Sequence, residues 1–158
     1  MRKVPQYAIK KVGELETLCI DYENAEIVFH LLKNVIGDST QEEIGVVILN
    51  HKYEIIGWQK VAMGVNNKVI FDVKDIFKVA IPLEADRIIL VHNHPSGDLI
   101  PSDDDWVVNA QIMKAGMFLD VPLEDSIILS EYNYYSCLEQ DEERFKNCWK
   151  NSIDDIRM

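Results

Sequence analysis

The sequence predicts a mixed α/β (α+β) fold in which one β-sheet is flanked by helices. Apolar residues recur at helical spacing over residues 24–36, which indicates an amphipathic helix. Residues 44–49 form a nearly continuous apolar run of the kind found in buried strands, and residues 87–91 form a second one. Helical and strand patterns therefore alternate along the chain, as expected of a layered fold around a single core.

The other elements follow in chain order. The first helix ends before Gly37, a residue type that commonly terminates helices. Residues 50–52 are typical of a turn, so residues 44–49 and 53–61 are predicted to form a hairpin. A short helix over residues 72–80 ends before Pro82. Ser102 is placed to cap another helix, and Gly116 is placed to end it.

Length and composition favour a single domain. A chain of 158 residues, of which 47% are hydrophobic, can bury one core but is short for two. We predict one domain over residues 1–158, with a core of about 38–138, an N-terminal helix over 24–36 and a C-terminal helical extension over 139–158. The 3 cysteines are widely spaced, so we expect buried thiols rather than disulfides.

Charge and hydropathy limit the expected partners. The formal net charge of -11 disfavours DNA binding by the isolated chain, because nucleic-acid affinity depends on neutralising phosphates with Lys and Arg. No apolar run reaches the roughly 20 residues of a membrane helix, and no apolar stretch follows the N-terminal charges as in a secretory signal. We therefore expect a cytoplasmic protein that does not enter membranes.

A candidate metal site follows the second buried strand. His92 and His94 are two residues apart, so on an extended chain both side chains point to the same side. A helix that starts at Ser102 and is aimed back at the strand end brings Asp105 beside the two imidazoles. Two histidines and one carboxylate leave a fourth position open, which is typical of catalytic rather than structural zinc.

Each of these features also has a structural interpretation. A single histidine is usually structural, and Ser102 with Asp105 has the spacing of a capping box that needs no catalytic role. The combination is more specific, because histidine, proline, serine and aspartate occur in the order H-x-H-P-x6-S-x2-D between an apolar strand and an amphipathic helix. We therefore favour metal binding and expect the capping role to coexist with it.

These residues resemble a known family. The segment HNHPSGD at residues 92–98, followed by Pro101, Ser102 and Asp105, is similar to the signature of RadC-like proteins, a bacterial branch of the JAMM/MPN metallopeptidases. Residues 75–80, 125–129 and 134–136 resemble the family's short helix and closing strands. The resemblance implies the MPN/JAMM fold, which is cytidine-deaminase-like and has a curved mixed sheet flanked by helices. It also implies one Zn²⁺ per chain, bound by His92, His94 and Asp105.

The resemblance also implies two catalytic residues. Ser102 matches the serine that helps to stabilise the oxyanion, and the family's general base is a glutamate at the start of the first core strand. Glu42 and Glu43 are both candidates at that point. Family spacing and strand alternation favour Glu42, which shares a strand face with Ile44. Glu84 and Asp98 are the fallback acids.

The implied function is a zinc-dependent hydrolase that cleaves a peptide, isopeptide or other amide bond in a protein or peptide substrate. One alternative is a non-catalytic MPN interaction module, or a DNA-repair-associated RadC-like protein that acts in a complex. A second is nucleic-acid processing at the same metal, which the acidic composition and the single ligand set disfavour. Residues 1–40 carry no helix-hairpin-helix pattern, so the family's link to DNA repair transfers poorly.

Three further features of the sequence bear on specificity and partners. Leu99 and Ile100 replace the Pro-Thr that is common in the family's metal loop, which changes the expected substrate rim. Ser126 stands where many relatives have histidine, and we assign it no role. In the C-terminal extension, Phe145, Trp149 and Ile153 have helical spacing. We expect this segment to pack as a terminal helix; the alternative is an interface with a partner or a second copy of the chain.

Overall fold

The computed structural model describes residues 4–6, 8–64 and 72–151. The described elements, in chain order, are α1 (Ala25–Leu32), a π-helical turn (Lys33–Gly37), β1 (Glu43–Leu49), β2 (Ile55–Met63), α2 (Val73–Ala80), β3 (Arg87–Asn93), α3 (Asp103–Leu119), β4 (Leu123–Leu129), β5 (Tyr134–Ser136), α4 (Cys137–Gln140) and α5 (Glu142–Asn151). The predicted alternation of helices and strands is confirmed.

The strands form one mixed sheet in the order β2-β1-β3-β4-β5. β1 pairs antiparallel with both β2 and β3, β3 pairs parallel with β4, and β5 returns antiparallel to β4. The predicted hairpin is therefore present as β1 and β2. β3, whose end carries His92, lies at the centre of the sheet, where neighbours on both sides fix its position.

Helices cover both faces of the sheet. Alternate residues of β1 point to opposite sides: Val46 packs with Trp106 of α3, whereas Val47 packs with Val28 and Leu32 of α1. This double burial explains why β1 reads as a continuous apolar run rather than an alternating one. α5 packs on the α3 side, where Phe145 is part of the core. The predicted packing of the terminal helix is thus confirmed as far as residue 151, and Ile153 lies outside the described residues.

The first helix begins and ends close to the prediction. The Asn24 side chain caps α1 by accepting a hydrogen bond from the backbone N–H of Glu26. The last turn, Lys33–Gly37, is π-helical, which sequence periodicity does not reveal. At Gly37 a Cβ atom would lie 2.5 Å from the carbonyl oxygen of Ser130, so only glycine permits this close approach.

The predicted end of α3 at Gly116 is wrong. The helix continues to Leu119 and is closed by Asp120, whose φ of 56° and ψ of 36° place it in the left-handed region. Gly116 has a packing role instead, since a Cβ atom there would lie 2.4 Å from the carbonyl oxygen of Val121. A glycine that is required for close packing and one that ends a helix look the same in sequence.

Two smaller predictions concern the cysteines and membranes. Cys137 and Cys148 are free and buried, as expected, but Cys19 is only partly buried and does not fit that prediction. It lies before α1, in a segment whose described residues form no helix or strand apart from the isolated bridge between Asp21 and Glu54. Within the described ranges, no helix is long and apolar enough to cross a membrane.

Candidate metal centre

The end of β3 presents the two histidines to the N-terminus of α3. His92 pairs with Ile44 across the antiparallel ladder of β1 and β3, so it faces the α3 side of the sheet. It is only 4% exposed. His94 follows immediately after the last residue of β3, and its ring centroid lies 5.0 Å from that of His92. The predicted pairing of these side chains on one side is confirmed.

A capping box fixes the third residue of the group. The Ser102 hydroxyl accepts a hydrogen bond of 3.1 Å from the Asp105 backbone N–H, and the Asp105 carboxylate accepts one of 2.7 Å from the Ser102 backbone N–H. This reciprocal arrangement satisfies two N–H groups at the start of α3. It also locks the first turn of the helix with the Asp105 side chain directed at the histidines.

The three side chains converge at close to equal distances. His92 Nε2 lies 3.2 Å from His94 Nε2, and the Asp105 oxygens lie 3.3 Å from His92 Nε2 and 3.2 Å from His94 Nε2. Two ligand atoms that each lie about 2.0–2.1 Å from a zinc ion at a tetrahedral angle are separated by about 3.3 Å. The separation of the two imidazole nitrogens therefore matches two corners of a tetrahedral coordination sphere, and the carboxylate places Oδ1 beside His92 and Oδ2 beside His94.

A hydrogen bond selects the tautomer of His94. Its Nδ1 atom lies 2.8 Å from the backbone carbonyl oxygen of Asp98. Because a carbonyl oxygen only accepts hydrogen bonds, Nδ1 must carry a proton; Nε2 then donates to Asp105 when the ring is protonated and presents its lone pair to the cluster when the ring is neutral. Metal-bound histidines are commonly oriented by such a bond from the second ring nitrogen. The loop after β3 thus orients the His94 ring as it would need to be oriented to bind a metal ion.

The electrostatics of the cluster couple its members. The hydrogen bond to Asp105 raises the pKa of His94 against the effect of burial, and the negative charge of Glu42 adds to this rise. Burial by itself would raise the pKa of Asp105, but hydrogen bonds from His92 and His94 hold it well below its usual range. Asp105 is therefore an anion that faces two imidazoles. Its negative charge would attract a divalent cation to the cluster.

The donor set is suited to a metal ion. Among residues 4–6, 8–64 and 72–151, His92, His94 and Asp105 are the one group of three or more His, Cys, Asp or Glu side chains that could hold a metal, with ligand atoms all within 4.8 Å of one another. A divalent cation placed among the three side chains would have two imidazole nitrogens and a carboxylate as donors, which are ligand types that zinc accepts. Three protein ligands also leave a coordination position open. The predicted ligands thus form one group that could bind a metal ion.

Glu42 and Glu43 occupy different environments at the start of β1. Glu43 is 5% exposed, and its carboxylate forms an ion pair of 2.7 Å with Lys60 and accepts a hydrogen bond from Ser39. Glu42 lies two residues before Ile44, the residue opposite His92, and its charge acts on His94. These contacts favour Glu42 over Glu43 as a residue of the candidate site, and its role as a base stays a prediction.

The two fallback acids have other positions. Glu84 is exposed in the turn before β3, whereas His92 lies near the far end of that strand. At the usual rise per residue of a strand, the two residues are separated by roughly 20 Å. Glu84 therefore lies outside the site. Asp98 contributes its backbone carbonyl to His94, while its carboxylate accepts a hydrogen bond from the Ile100 N–H within the loop.

One residue of the site was missed by the sequence reasoning. Asn93 lies between the two histidines and is 1% exposed. Its side chain forms hydrogen bonds with the backbone of the segment that carries Glu42. A polar residue at the end of an apolar strand, on the face opposite the histidines, was the signal that could have indicated it. A buried amide of this kind needs hydrogen-bond partners, but sequence alone does not name them.

Comparison with known proteins agrees with this geometry. The family model described as the RadC-like JAB domain matches residues 22–143. A UPF0758 protein of Chlorobium chlorochromatii is 35% identical over 113 residues, which cover 72% of this chain and 51% of that protein. A UPF0758 protein of Carboxydothermus hydrogenoformans is 37% identical over 117 residues, or 74% of this chain and 52% of the relative. The chain thus spans about half the length of these relatives, and it belongs to the RadC-like JAB domain family.

Proposed function

We propose that this chain is a zinc-dependent hydrolase that cleaves an amide bond of a peptide or isopeptide with water. The observation that carries the proposal is the convergence of His92, His94 and Asp105 at 3.2–3.3 Å, with the His94 tautomer set by the Asp98 carbonyl. Three ligands with one open position are the pattern of catalytic zinc. When bound, zinc acts as a Lewis acid that allows water to attack a carbonyl near neutral pH.

The residues around the ligands supply the remaining chemistry. The Glu42 carboxylate accepts a proton from the water whose oxygen attacks the carbonyl carbon, and it delivers that proton to the amine nitrogen as the C–N bond breaks. The Ser102 hydroxyl already accepts a bond from Asp105 N–H, which leaves its own proton free to donate to the oxyanion. Capping and catalysis therefore use different parts of the same hydroxyl group.

The geometry favours this function over a non-catalytic interaction module. A module that only binds a partner has no need for two imidazoles and a carboxylate aimed at one point, nor for a carbonyl that fixes the tautomer of one ring. Within residues 4–6, 8–64 and 72–151 there is one such ligand group, which also favours amide hydrolysis over phosphodiester cleavage with two ions, for which two sets of carboxylates are usual. We further propose that the isolated chain binds DNA weakly, given its net charge of -11.

The proposal is tested with a mixture of peptides and lysine-linked isopeptides as substrate. The zinc-loaded protein, the same protein after chelator treatment, and His94→Ala are incubated with the mixture, and products are identified by mass spectrometry. We expect cleavage only by the zinc-loaded protein and its recovery when zinc is returned to the stripped sample. Cleavage that survives both metal removal and His94→Ala would refute the proposal, as would a zinc-loaded protein that cleaves no amide in the mixture.

A further inference from the structure

Asn93 makes an unusually complete set of contacts with the segment before β1. Its Oδ1 atom accepts a hydrogen bond of 2.7 Å from the Glu43 backbone N–H. Its Nδ2 atom donates to the carbonyl oxygens of Ser39, at 3.1 Å, and Gln41, at 3.0 Å. Both amide hydrogens and one oxygen lone pair of a 1% exposed side chain thus go to one short stretch of backbone.

These hydrogen bonds hold the backbone groups on both sides of Glu42. The carbonyl of Gln41 and the N–H of Glu43, the backbone groups on either side of it, are both held by Asn93. The Glu42 carbonyl oxygen itself accepts a bond of 2.6 Å from the N–H of Gly64. The backbone on either side of Glu42 is therefore fixed, and its side chain can vary only through its own rotamers.

Asn93 is also rigidly tied to the metal ligands. It is the last residue of β3 and lies between His92 and His94, so strand alternation directs its side chain away from the face that carries the imidazoles. Glu43 is held on its other side by Lys60 and Ser39, which prevents it from taking the place of Glu42. The two ligands and the segment with Glu42 are thus connected through one side chain.

We propose that Asn93 is a positioning residue, which sets the location of the Glu42 carboxylate relative to the metal ligands. This inference rests on the proposed function, because it assumes that Glu42 acts as the base. Hydrolysis requires the base to lie within hydrogen-bond reach of the attacking water. A displacement of about 1 Å is sufficient to lower the rate by roughly 100-fold. Without Asn93, Ser39, Gln41 and Glu43 would each lose one backbone hydrogen bond. The contacts among His92, His94 and Asp105 would remain.

The test compares Asn93→Ala with a matched control, Asn50→Ala. Asn50 fastens the turn between β1 and β2 in a similar way, accepting bonds from the N–H groups of Lys52 and Glu54, but at the opposite end of β1. We expect Asn93→Ala to keep one zinc per chain and to speed amide hydrogen exchange at Glu43 and Gly64 by about tenfold or more, the equivalent of one lost hydrogen bond. Asn50→Ala should leave exchange at both amides unchanged.

Kinetics separate positioning from general structural damage. In Asn93→Ala we expect kcat to fall by roughly 10–100-fold with KM little changed. In the Glu42→Gln background, Asn93→Ala should cause no further loss, because the base through which it acts is already absent. If Asn93→Ala does not fold, Asn93→Asp serves instead, since it keeps the acceptor for Glu43 but sets a carboxylate oxygen against the carbonyls of Ser39 and Gln41.

Three results would overturn the inference: unchanged exchange at Glu43, a loss of zinc that accounts for the loss of rate, or an additional rate loss in the Glu42→Gln background. A wild-type protein that cleaves no amide would contradict the proposed function alone. In that case exchange at Glu43 and Gly64 still decides whether Asn93 holds the Glu42 segment.

Discussion

Two aspartates, Asp105 and Asp125, lie on opposite faces of the sheet and show how a site differs from a structural support. Asp105 faces two imidazoles on the α3 side, and its pKa is lowered. Asp125 pairs with Ile89 of β3, whose side chain belongs to the α1 side, and burial raises its pKa to about 6. Both carboxylates have several polar neighbours, so the number of contacts does not distinguish them.

The kind of neighbour does distinguish them. Asp125 accepts four hydrogen bonds: from the hydroxyls of Tyr22 and Ser136, and from the backbone N–H groups of Ser126 and Leu138. Each neighbour can donate, so the network is satisfied without any added group. Around Asp105, by contrast, His92 and His94 present ring nitrogens to each other and to the carboxylate. The imidazole nitrogens can bind a metal ion as well as donate hydrogen bonds, whereas the neighbours of Asp125 are hydroxyl and backbone N–H donors that complete a structural network.

The largest expected effect is the loss of metal from the Asp105 cluster. Asp105→Ala removes one of the three proposed ligands, and we expect zinc affinity to fall by more than about 100-fold, beyond the usual effect of changing a residue that only orients a ligand. Asp125→Ala, measured where it is folded, should keep near-stoichiometric zinc. Competition with a chromophoric chelator measures both affinities. Equal losses in the two variants would mean that the contrast between the clusters is wrong.

The second effect concerns stability at the Asp125 cluster. Asp125→Ala leaves the buried N–H groups of Ser126 and Leu138 without an acceptor, and we expect the free energy of unfolding to fall by about 3–5 kcal/mol. Denaturant unfolding of the metal-free proteins measures this change. Tyr22→Phe removes one donor but no acceptor, so it should cost about 1 kcal/mol. A similar small loss in both variants would show that Asp125 is not the centre of the network.

The third effect separates Glu42 from Glu43. Glu42→Gln preserves size but removes the proton acceptor, so we expect hydrolysis to fall by about 100-fold or more with zinc retained. Glu43→Gln weakens the ion pair that the buried Glu43 carboxylate makes with the exposed Lys60, so we expect lower stability with hydrolysis largely preserved. Rates and zinc content are measured for both variants with the same peptide substrate. The reverse pattern would assign the base to Glu43.

Much of this arrangement could be predicted from sequence because the signals are local. The H-x-H spacing on a strand and the S-x-x-D cap are sufficient to predict the relative directions of His92, His94 and Asp105. Strand alternation separates Glu42 from Glu43 in the same way. The predicted helices and strands are also present within the described residues, with their ends shifted by a few positions.

The features that sequence did not reveal depend on contacts between distant segments. Glycine is required at position 116 because Val121 packs close to its Cα, and Asn93 bonds to backbone groups that lie 50 to 54 positions earlier. The Asp125 network joins Tyr22, which lies 103 positions away, to the start of α4. No periodicity in sequence encodes such pairs, because each depends on the way the strands are ordered in the sheet.

The smallest expected effect is the pH dependence of stability that Asp125 contributes. Its pKa of about 6 in the folded protein lies above the ordinary value of 3.8. Below pH 4 the group is protonated in both the folded and unfolded states. As the pH rises from 4 to 6, the unfolded chain loses this proton first, so the stability that the neutral group contributes is lost through that window. Above pH 6 the penalty for burying the charge is constant.

Asp125→Asn tests this dependence with little disturbance of the network. The amide oxygen can keep the bonds from Ser126 and Leu138, and the amide nitrogen can donate to the hydroxyls of Tyr22 and Ser136, which accept as well as donate. The variant should therefore be about 1–2 kcal/mol more stable than wild type at pH 7, and this advantage should disappear below pH 4. The difference in unfolding free energy between the two metal-free proteins, measured from pH 4 to pH 7, cancels the titration of other groups. A difference in unfolding free energy that stays constant over this range would place the Asp125 pKa near its ordinary value. It would also mean that burying the Asp125 charge adds no penalty to the folded state.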